Sequence, residues 1–219
     1  MKNHVIFRPW QWKLWLSGLV GSRYDGLRQF SVVEPGVLMR CGQPTVRDLE
    51  LVRDKHGLRC IVAARGGTRH PLRGAWFRRQ RAFCARHGIR LEHMPLSDAN
   101  RPSLDVFERF LAIVADPANQ PTLVHCEQGL HRTGILVAAF RVAHCGWTLE
   151  RAVEELRARG FETQRPKRQG LLAALAEWAE AGACRGAQPG APRDHGPRVS
   201  DTTMRSSSSR IKSAVTRGS

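Results

Sequence analysis

Between residues 30 and 182, short apolar runs alternate with longer stretches of helical period. Phe30–Val33 and Val37–Arg40 read as two strands around a Pro35-Gly36 turn. Thr45 with Asp48 marks a helix start, and Gly57 follows its end at His56. Leu58–Ala63 is a buried strand, Gly74–His87 a helix stopped by Gly88, and Ile89–Pro95 another strand. Ser103 suits the N-cap of a helix over Leu104–Ala115 that Pro117 closes. Thr122–His125 is a short apolar strand running through a loop into a helix, Thr133–Cys145, ended by Gly146. Thr148–Arg159 and Pro166–Ala181 are two further helices. Strands alternating with helices predict an α/β domain: a central, mostly parallel sheet flanked by helices on both faces.

The two ends lie outside this pattern. Residues 1–29 hold Pro9-Trp10-Gln11-Trp12-Lys13-Leu14-Trp15-Leu16 between Arg8 and Arg23. Lys13 interrupts the apolar stretch, and no small-residue cleavage site follows, which disfavours a secretory signal. Two readings stay open: a helix packed on the domain, or an interfacial membrane anchor with basic flanks. Residues 183–219 contain no Leu, Phe, Trp or Tyr and carry seven Arg or Lys against Asp194 and Asp201. That composition predicts a disordered basic tail. The organisation expected is therefore 1–29 as a Trp-rich basic segment, 30–182 as the catalytic domain and 183–219 as the tail.

Length and hydrophobicity are ordinary, but charge is not: Lys and Arg number 35 against 19 Asp and Glu, a formal net charge of +16. Five are Lys, so thirty are Arg. The excess fits either an anionic partner or a plain preference for arginine. No apolar run is long enough to span a membrane. The six cysteines form no C-x-x-C pair, which argues against a disulfide scaffold and a structural zinc site. The expectation is a cytoplasmic protein in a reduced compartment, with peripheral membrane attachment open to the N-terminal segment.

The informative stretch is His125-Cys126-Glu127-Gln128-Gly129-Leu130-His131-Arg132-Thr133-Gly134, read as strand end, loop and helix start. A loop entering a helix N-terminus points backbone N–H groups inward, and the helix dipole favours an anion there. Glu127, Gln128, Gly129, Leu130 and His131 supply that phosphate-binding backbone, and Gly129 allows the sharp geometry it requires. Arg132 offers a planar fork matched to two phosphate oxygens. The same field stabilises a thiolate, making Cys126 the candidate nucleophile. Thr133 is expected to donate its hydroxyl to the sulfur, and His125 to orient the loop through hydrogen bonds.

These residues match in full the H-C-x5-R-[ST]-G signature of the protein tyrosine phosphatase superfamily, which this chain resembles from about Val33 to Glu180. The small size, Arg40-Cys41-Gly42-Gln43-Pro44 and the strand ending Ala64-Arg65-Gly66 resemble the bacterial, plant and fungal atypical dual-specificity phosphatases. The resemblance implies that fold, a phosphocysteine intermediate, no metal or organic cofactor, and a carboxylic acid on a separate loop to protonate the leaving oxygen. Asp98 in Pro95-Leu96-Ser97-Asp98-Ala99-Asn100-Arg101-Pro102 is the candidate acid. Asp105, in the first turn of a helix, and Asp116, at the end of one, are its rivals.

The substrate is less legible. Residues 65–90 hold eight Arg and no Asp or Glu. Arg65, Arg69 and His70, with Arg101, Arg165, Lys167 and Arg168, are candidates for an electropositive mouth. Against this, Glu127 and Leu130 stand where relatives acting on inositol pyrophosphates carry basic residues, and an acid beside the nucleophile is expected to disfavour highly charged substrates. The leading expectation is a phosphoprotein, phosphotyrosine included, or a small anionic phosphoester. The alternatives are an RNA 5′-triphosphatase or inositol (pyro)phosphate phosphatase, or a basic membrane- or nucleic-acid-binding module with a phosphate-sensing loop. The basic ends also fit weak contact with anionic membrane or nucleic acid.

Overall fold

The computed structural model describes residues 27–72, 74–97 and 99–186, with side chains to 182. Residues 1–26 of the Trp-rich segment, residues 187–219 of the tail and Asp98 lie outside the described residues; residues 183–186, expected in the disordered tail, instead continue the last helix. In chain order the elements are β1 (Ser31–Glu34), β2 (Leu38–Cys41), α1 (Val46–His56), β3 (Cys60–Ala63), α2 (Ala75–His87), β4 (Arg90–His93), α3 (Asp105–Ala115), β5 (Thr122–His125), α4 (His131–Cys145), α5 (Leu149–Ala158) and α6 (Pro166–Gly186). The sheet order is β1-β2-β5-β3-β4. Only β1 runs antiparallel to its neighbour; β2, β5, β3 and β4 are mutually parallel. The expected α/β architecture is the one observed.

β2, β3 and β5 are buried along their whole length. Sheets covered on both faces favour apolar side chains at nearly every position, so β3 reads as a continuous apolar run, while Arg40 in β2 and Thr122 and His125 in β5 are buried polar exceptions. Alternate residues then feed two cores. Leu38, Val62 and Val124 pack with Phe107, Phe110, Ile135, Leu136, Leu175 and Trp178 from the later helices. Met39, Ile61 and Leu123 pack with Leu49, Val52, Phe83 and Cys84 from α1 and α2. β5 lies in the middle of the sheet, so whatever follows His125 emerges between two parallel neighbours.

Several boundaries differ from the sequence reading. Thr45 and Asp48 do form a capping box, with Gly57 left-handed at the C-cap. Ser103 does not cap α3: the cap position is Leu104, already in right-handed helical conformation, with no side-chain cap bond. Asp105 and Glu108 in the first turn supply the negative charge that such an end favours. The helix after β5 begins at His131, two residues before the expected Thr133, and β4 stops at His93. Among the described residues no helix is long and apolar enough to cross a membrane.

Candidate active site

The loop Cys126–Leu130 leaves the C-terminal end of β5 and enters α4 with no side chain capping the first turn. The helix's leading N–H groups are therefore left for an anion. Cys126 is 1% exposed, and Gly129 N–H donates to its Sγ at 3.2 Å. Starting α4 at His131 puts Arg132 and Thr133 in its first turn. Arg132 Nε is buried without a hydrogen-bond partner. The Thr133 hydroxyl is also buried without one, so the donation to the sulfur expected from the sequence is not formed. His131 is buried, with Nε2 3.6 Å from Glu162 Oε2 and its ring against Phe161.

The loop rests on the connection between β2 and α1. Arg40, buried at the end of the sheet, donates from Nη2 to Gly129 O at 2.6 Å. Gln43 N–H donates to Glu127 O at 3.0 Å. Gly129 has φ +73°, and a Cβ there would fall 2.6 Å from Cys41 C and Gly42 N. Gly42 is tight in return, with a Cβ 3.2 Å from the Gln128 backbone. Only glycine satisfies both the left-handed angle and the space at 129. Burial, with repulsion from Arg159 second, lowers the Arg40 guanidinium to about 10. The Arg40-Cys41-Gly42-Gln43-Pro44 segment thus carries the loop, a role its sequence did not disclose.

His125 is fully buried, with Nδ1 3.3 Å from Cys126 O. Its Nε2 meets Gln80 Nε2 at 2.8 Å, and the edge of Trp76 approaches the ring. Burial, partly offset by the bond to Cys126 O, lowers its pKa to about 4, so the ring is neutral at ordinary pH. Sequence reasoning missed Gln80. The available signal was its place on the buried stripe of α2 with Phe83 and Cys84.

Glu127 faces outward and pairs with Arg65 at 3.3 Å. Arg65 also donates to Gln43 Oε1 at 3.3 Å and lies over the Trp76 ring, 5.0 Å from its centroid. The carboxylate beside Cys126 is therefore paired with a cation that follows the neighbouring strand β3. Gln128 is half-buried on Gly42, and Leu130 reaches toward Gly160.

The segment around Asp98 is firmly attached on either side. Met94 and Leu96 N–H groups bond to Ala63 O and Ala64 O, beside the start of the Cys126 loop. Ser97 Oγ accepts from Ala99 and Asn100 N–H at 3.1 and 3.0 Å. Arg101 pairs with Glu177, and its backbone packs on Gly170, where a Cβ would come within 3.1 Å. Asp105 is exposed and lines a cavity of about 270 Å³ whose walls include no residue of the Cys126 loop. Asp116 approaches Arg90 at the N-terminal end of β4, the end of the sheet away from Cys126. Of the other mouth candidates, Arg69, His70 and Lys167 are exposed, Arg165 pairs with Glu162, and Arg168 is buried.

A thiol seated in a strand–loop–helix turn, with an arginine six positions on and a parallel sheet behind it, is the arrangement that marks the tyrosine phosphatase superfamily. The chain belongs to the family described as PTP-NADK, a DSP-PTPase phosphatase fused to NAD+ kinase, whose model matches residues 28–172. It is 35% identical over 82 residues to the inositol diphosphatase SIW14 of Saccharomyces cerevisiae, covering 36% of this chain and 29% of that protein. It is 32% identical over 116 residues to the inositol diphosphatase DSP1 of Oryza sativa subsp. japonica, covering 51% and 48%. The dual specificity protein phosphatase TpbA of Pseudomonas aeruginosa is 28% identical over 81 residues, 37% of each chain. These matches span less than half the length of the curated relatives. The crystal structure of the SIW14 core catalytic domain with citrate matches at TM-score 0.54 and 27% identity, over 73% of this chain and 94% of that one. The TpbA crystal structure agrees in fold, with TM-score 0.55 at 20% identity over 71% and 91%.

Proposed function

We propose that this chain hydrolyses small polyphosphorylated substrates of the inositol diphosphate type through a phosphocysteine. The observation that carries the reaction is the Cys126 thiol inside an uncapped helix N-terminus with Arg132 in the first turn. The Cys126 thiolate attacks phosphorus in line, forming the S–P bond as the P–O bond to the leaving group breaks. Arg132 and the loop N–H groups stabilise the equatorial oxygens. Asp98 protonates the leaving oxygen and then assists the water that hydrolyses the phosphocysteine. His125, neutral and enclosed, holds the loop and moves no proton.

The substrate class is supported by the likeness to two inositol diphosphatases and by the Arg65 charge that offsets Glu127. A second reading, a phosphotyrosine or phosphoprotein phosphatase, is favoured by the absence of Lys and Arg at loop positions 127–131 and by the likeness to TpbA. The deciding experiment is steady-state kcat/KM of the purified chain on an inositol diphosphate, a phosphotyrosine peptide, 5′-triphosphorylated RNA and an aryl phosphate. A tenfold or greater advantage for the inositol diphosphate is expected. The same advantage for the peptide would establish the second reading. Turnover that survives Cys126→Ser would remove the mechanism.

A further inference from the structure

Arg65 and Glu127 leave the sheet side by side. β3 and β5 are parallel with Ala63 opposite His125, and each residue lies two positions beyond its partner strand's last pair. The two side chains are held very differently. Arg65 is 21% exposed, stacked over Trp76 and bonded to Gln43 Oε1, and its carbonyl oxygen lies 3.0 Å from His93 Nε2. Glu127 is 58% exposed, and its carboxylate pairs with Arg65. The cation is thus built into the wall of the site, while the anion is a half-solvated counter-ion. Exposed ion pairs of this kind contribute little, so a better anion readily displaces the carboxylate. Burial lowers the Arg65 guanidinium from its usual value, Glu127 offsets part of that, and Arg132 and Cys126 are near enough to act on it. The Arg65 charge therefore shares the field of the reacting group.

We infer that Arg65 is a subsite for the second phosphoryl group of a diphosphate, and that Glu127 is the counter-ion this group displaces. The inference rests on the phosphatase reading above and names the group that makes a diphosphate preferred over a monophosphate. A monophosphate fills only the Cys126 loop and leaves the Arg65–Glu127 pair closed. A diphosphate places its outer phosphoryl on the guanidinium, whose planar fork takes two of its oxygens. Glu127 then swings into solvent, which its exposure allows. The pair acts as a charge filter: unbound, it spares the site an uncompensated cation, and it opens only for a ligand with enough charge to compete.

The test is isothermal titration calorimetry of the full chain with inorganic phosphate and with methylenediphosphonate, whose P–C–P bridge resists hydrolysis. The readout is the ratio of the two dissociation constants on one sample, so a general weakening of the loop cancels. Wild type is expected to favour the diphosphonate. Arg65→Gln should cut that preference by roughly tenfold or more, the scale of a lost charge-assisted pair. Arg65→Lys should keep part of it. Glu127→Gln removes the competing carboxylate at an exposed position and should raise the preference severalfold. Equal weakening of both ligands by Arg65→Gln, or a lower preference in Glu127→Gln, would overturn the inference. Aryl phosphate turnover by the same wild-type sample is scored separately: its absence removes the phosphatase reading, while the binding ratio still decides the subsite.

Discussion

Gln80 on α2 and His125 at the end of β5 meet inside the fold, the carboxamide Nε2 lying 2.8 Å and its Oε1 3.2 Å from the imidazole Nε2. The Cys126 carbonyl, 3.3 Å from His125 Nδ1, can only accept, so Nδ1 is protonated. In a neutral ring Nε2 must then accept, and the Gln80 amide donates to it. A glutamine on a helix otherwise rich in arginine thus completes the hydrogen bonding of the residue that precedes Cys126.

Gln80→Leu leaves a buried imidazole nitrogen without a donor. We expect a loss of about 1–3 kcal/mol in stability, together with a fall in kcat at nearly constant KM. Gln80→Glu has the opposite polarity: its carboxylate accepts from Nε2–H and favours a charged ring. A new ionisation should then appear in the pH–rate profile of Gln80→Glu and not in that of Gln80→Leu. Melting curves and pH profiles of the two variants check this, and identical profiles would refute the tautomer argument.

His125 also makes the fold sensitive to acid. Its folded-state pKa of about 4 lies below the ordinary 6.5. Between those values an unfolded chain takes up a proton that the native chain refuses. Stability is therefore full above about pH 6.5 and declines as pH falls toward 4, by about 3 kcal/mol at most from this group. Replacing His125 with Asn should flatten the decline. The measurement is the change in Tm between pH 7.5 and pH 4.5 in each protein; equal changes would mean that other groups govern acid unfolding.

Gly129 and Gly36 make a matched pair. Both are left-handed, at φ +73° and +72°, but an added Cβ meets backbone at 129 and open space at 36. Gly36→Ala should cost about 1–2 kcal/mol of stability and leave turnover unchanged. Gly129→Ala carries the same backbone strain and also pushes the loop off Cys41 and Gly42. A loss of at least about 10²-fold in kcat/KM is expected, in keeping with the sensitivity of catalysis to ångström-scale misplacement. Turnover assays with thermal melts separate the two effects.

Asp98→Asn should lower turnover by about 10²–10⁴ for an alkyl phosphate, whose leaving oxygen needs a proton. The loss should be much smaller for an activated aryl phosphate or a diphosphate, whose leaving groups depart more readily. Asp105→Asn should do little beyond a slight loss of helix stability, since Asp105 is exposed in the first turn of α3, where an acid suits the helix end. Kinetics of both variants on both kinds of ester identify the acid. An equal loss on good and poor leaving groups would put the acid elsewhere.

The candidate phosphate-binding loop was legible because its parts are contiguous: His125 through Gly134 fall within one strand–loop–helix turn. The fold was legible because strands buried on both faces and helices with one apolar face have different periods. What stayed hidden depends on partners far apart in the chain. Arg40 reaches Gly129 across 89 positions, Arg65 reaches Glu127 across 62, and His125 finds Gln80 across 45. Spacing along the sequence carries no trace of such contacts. Glu127 read alone was a repulsive charge; beside Arg65 it is half of a neutral pair. Ser103 read as the cap of a helix beginning at Leu104, yet the helix begins at Asp105 and the cap position falls on Leu104.

The bonds that fix the Cys126 loop reach its carbonyls, at Glu127 and Gly129, and its close fit to β2 comes from glycine backbone. The side chains at 127, 128 and 130 are not what holds it. Its reactive geometry and its choice of ligand are therefore separable properties. A lineage can change what the loop recognises by single substitutions at those three positions while the thiol and its cradle stay intact. The same independence makes them the natural positions for a combinatorial library aimed at retargeting the enzyme.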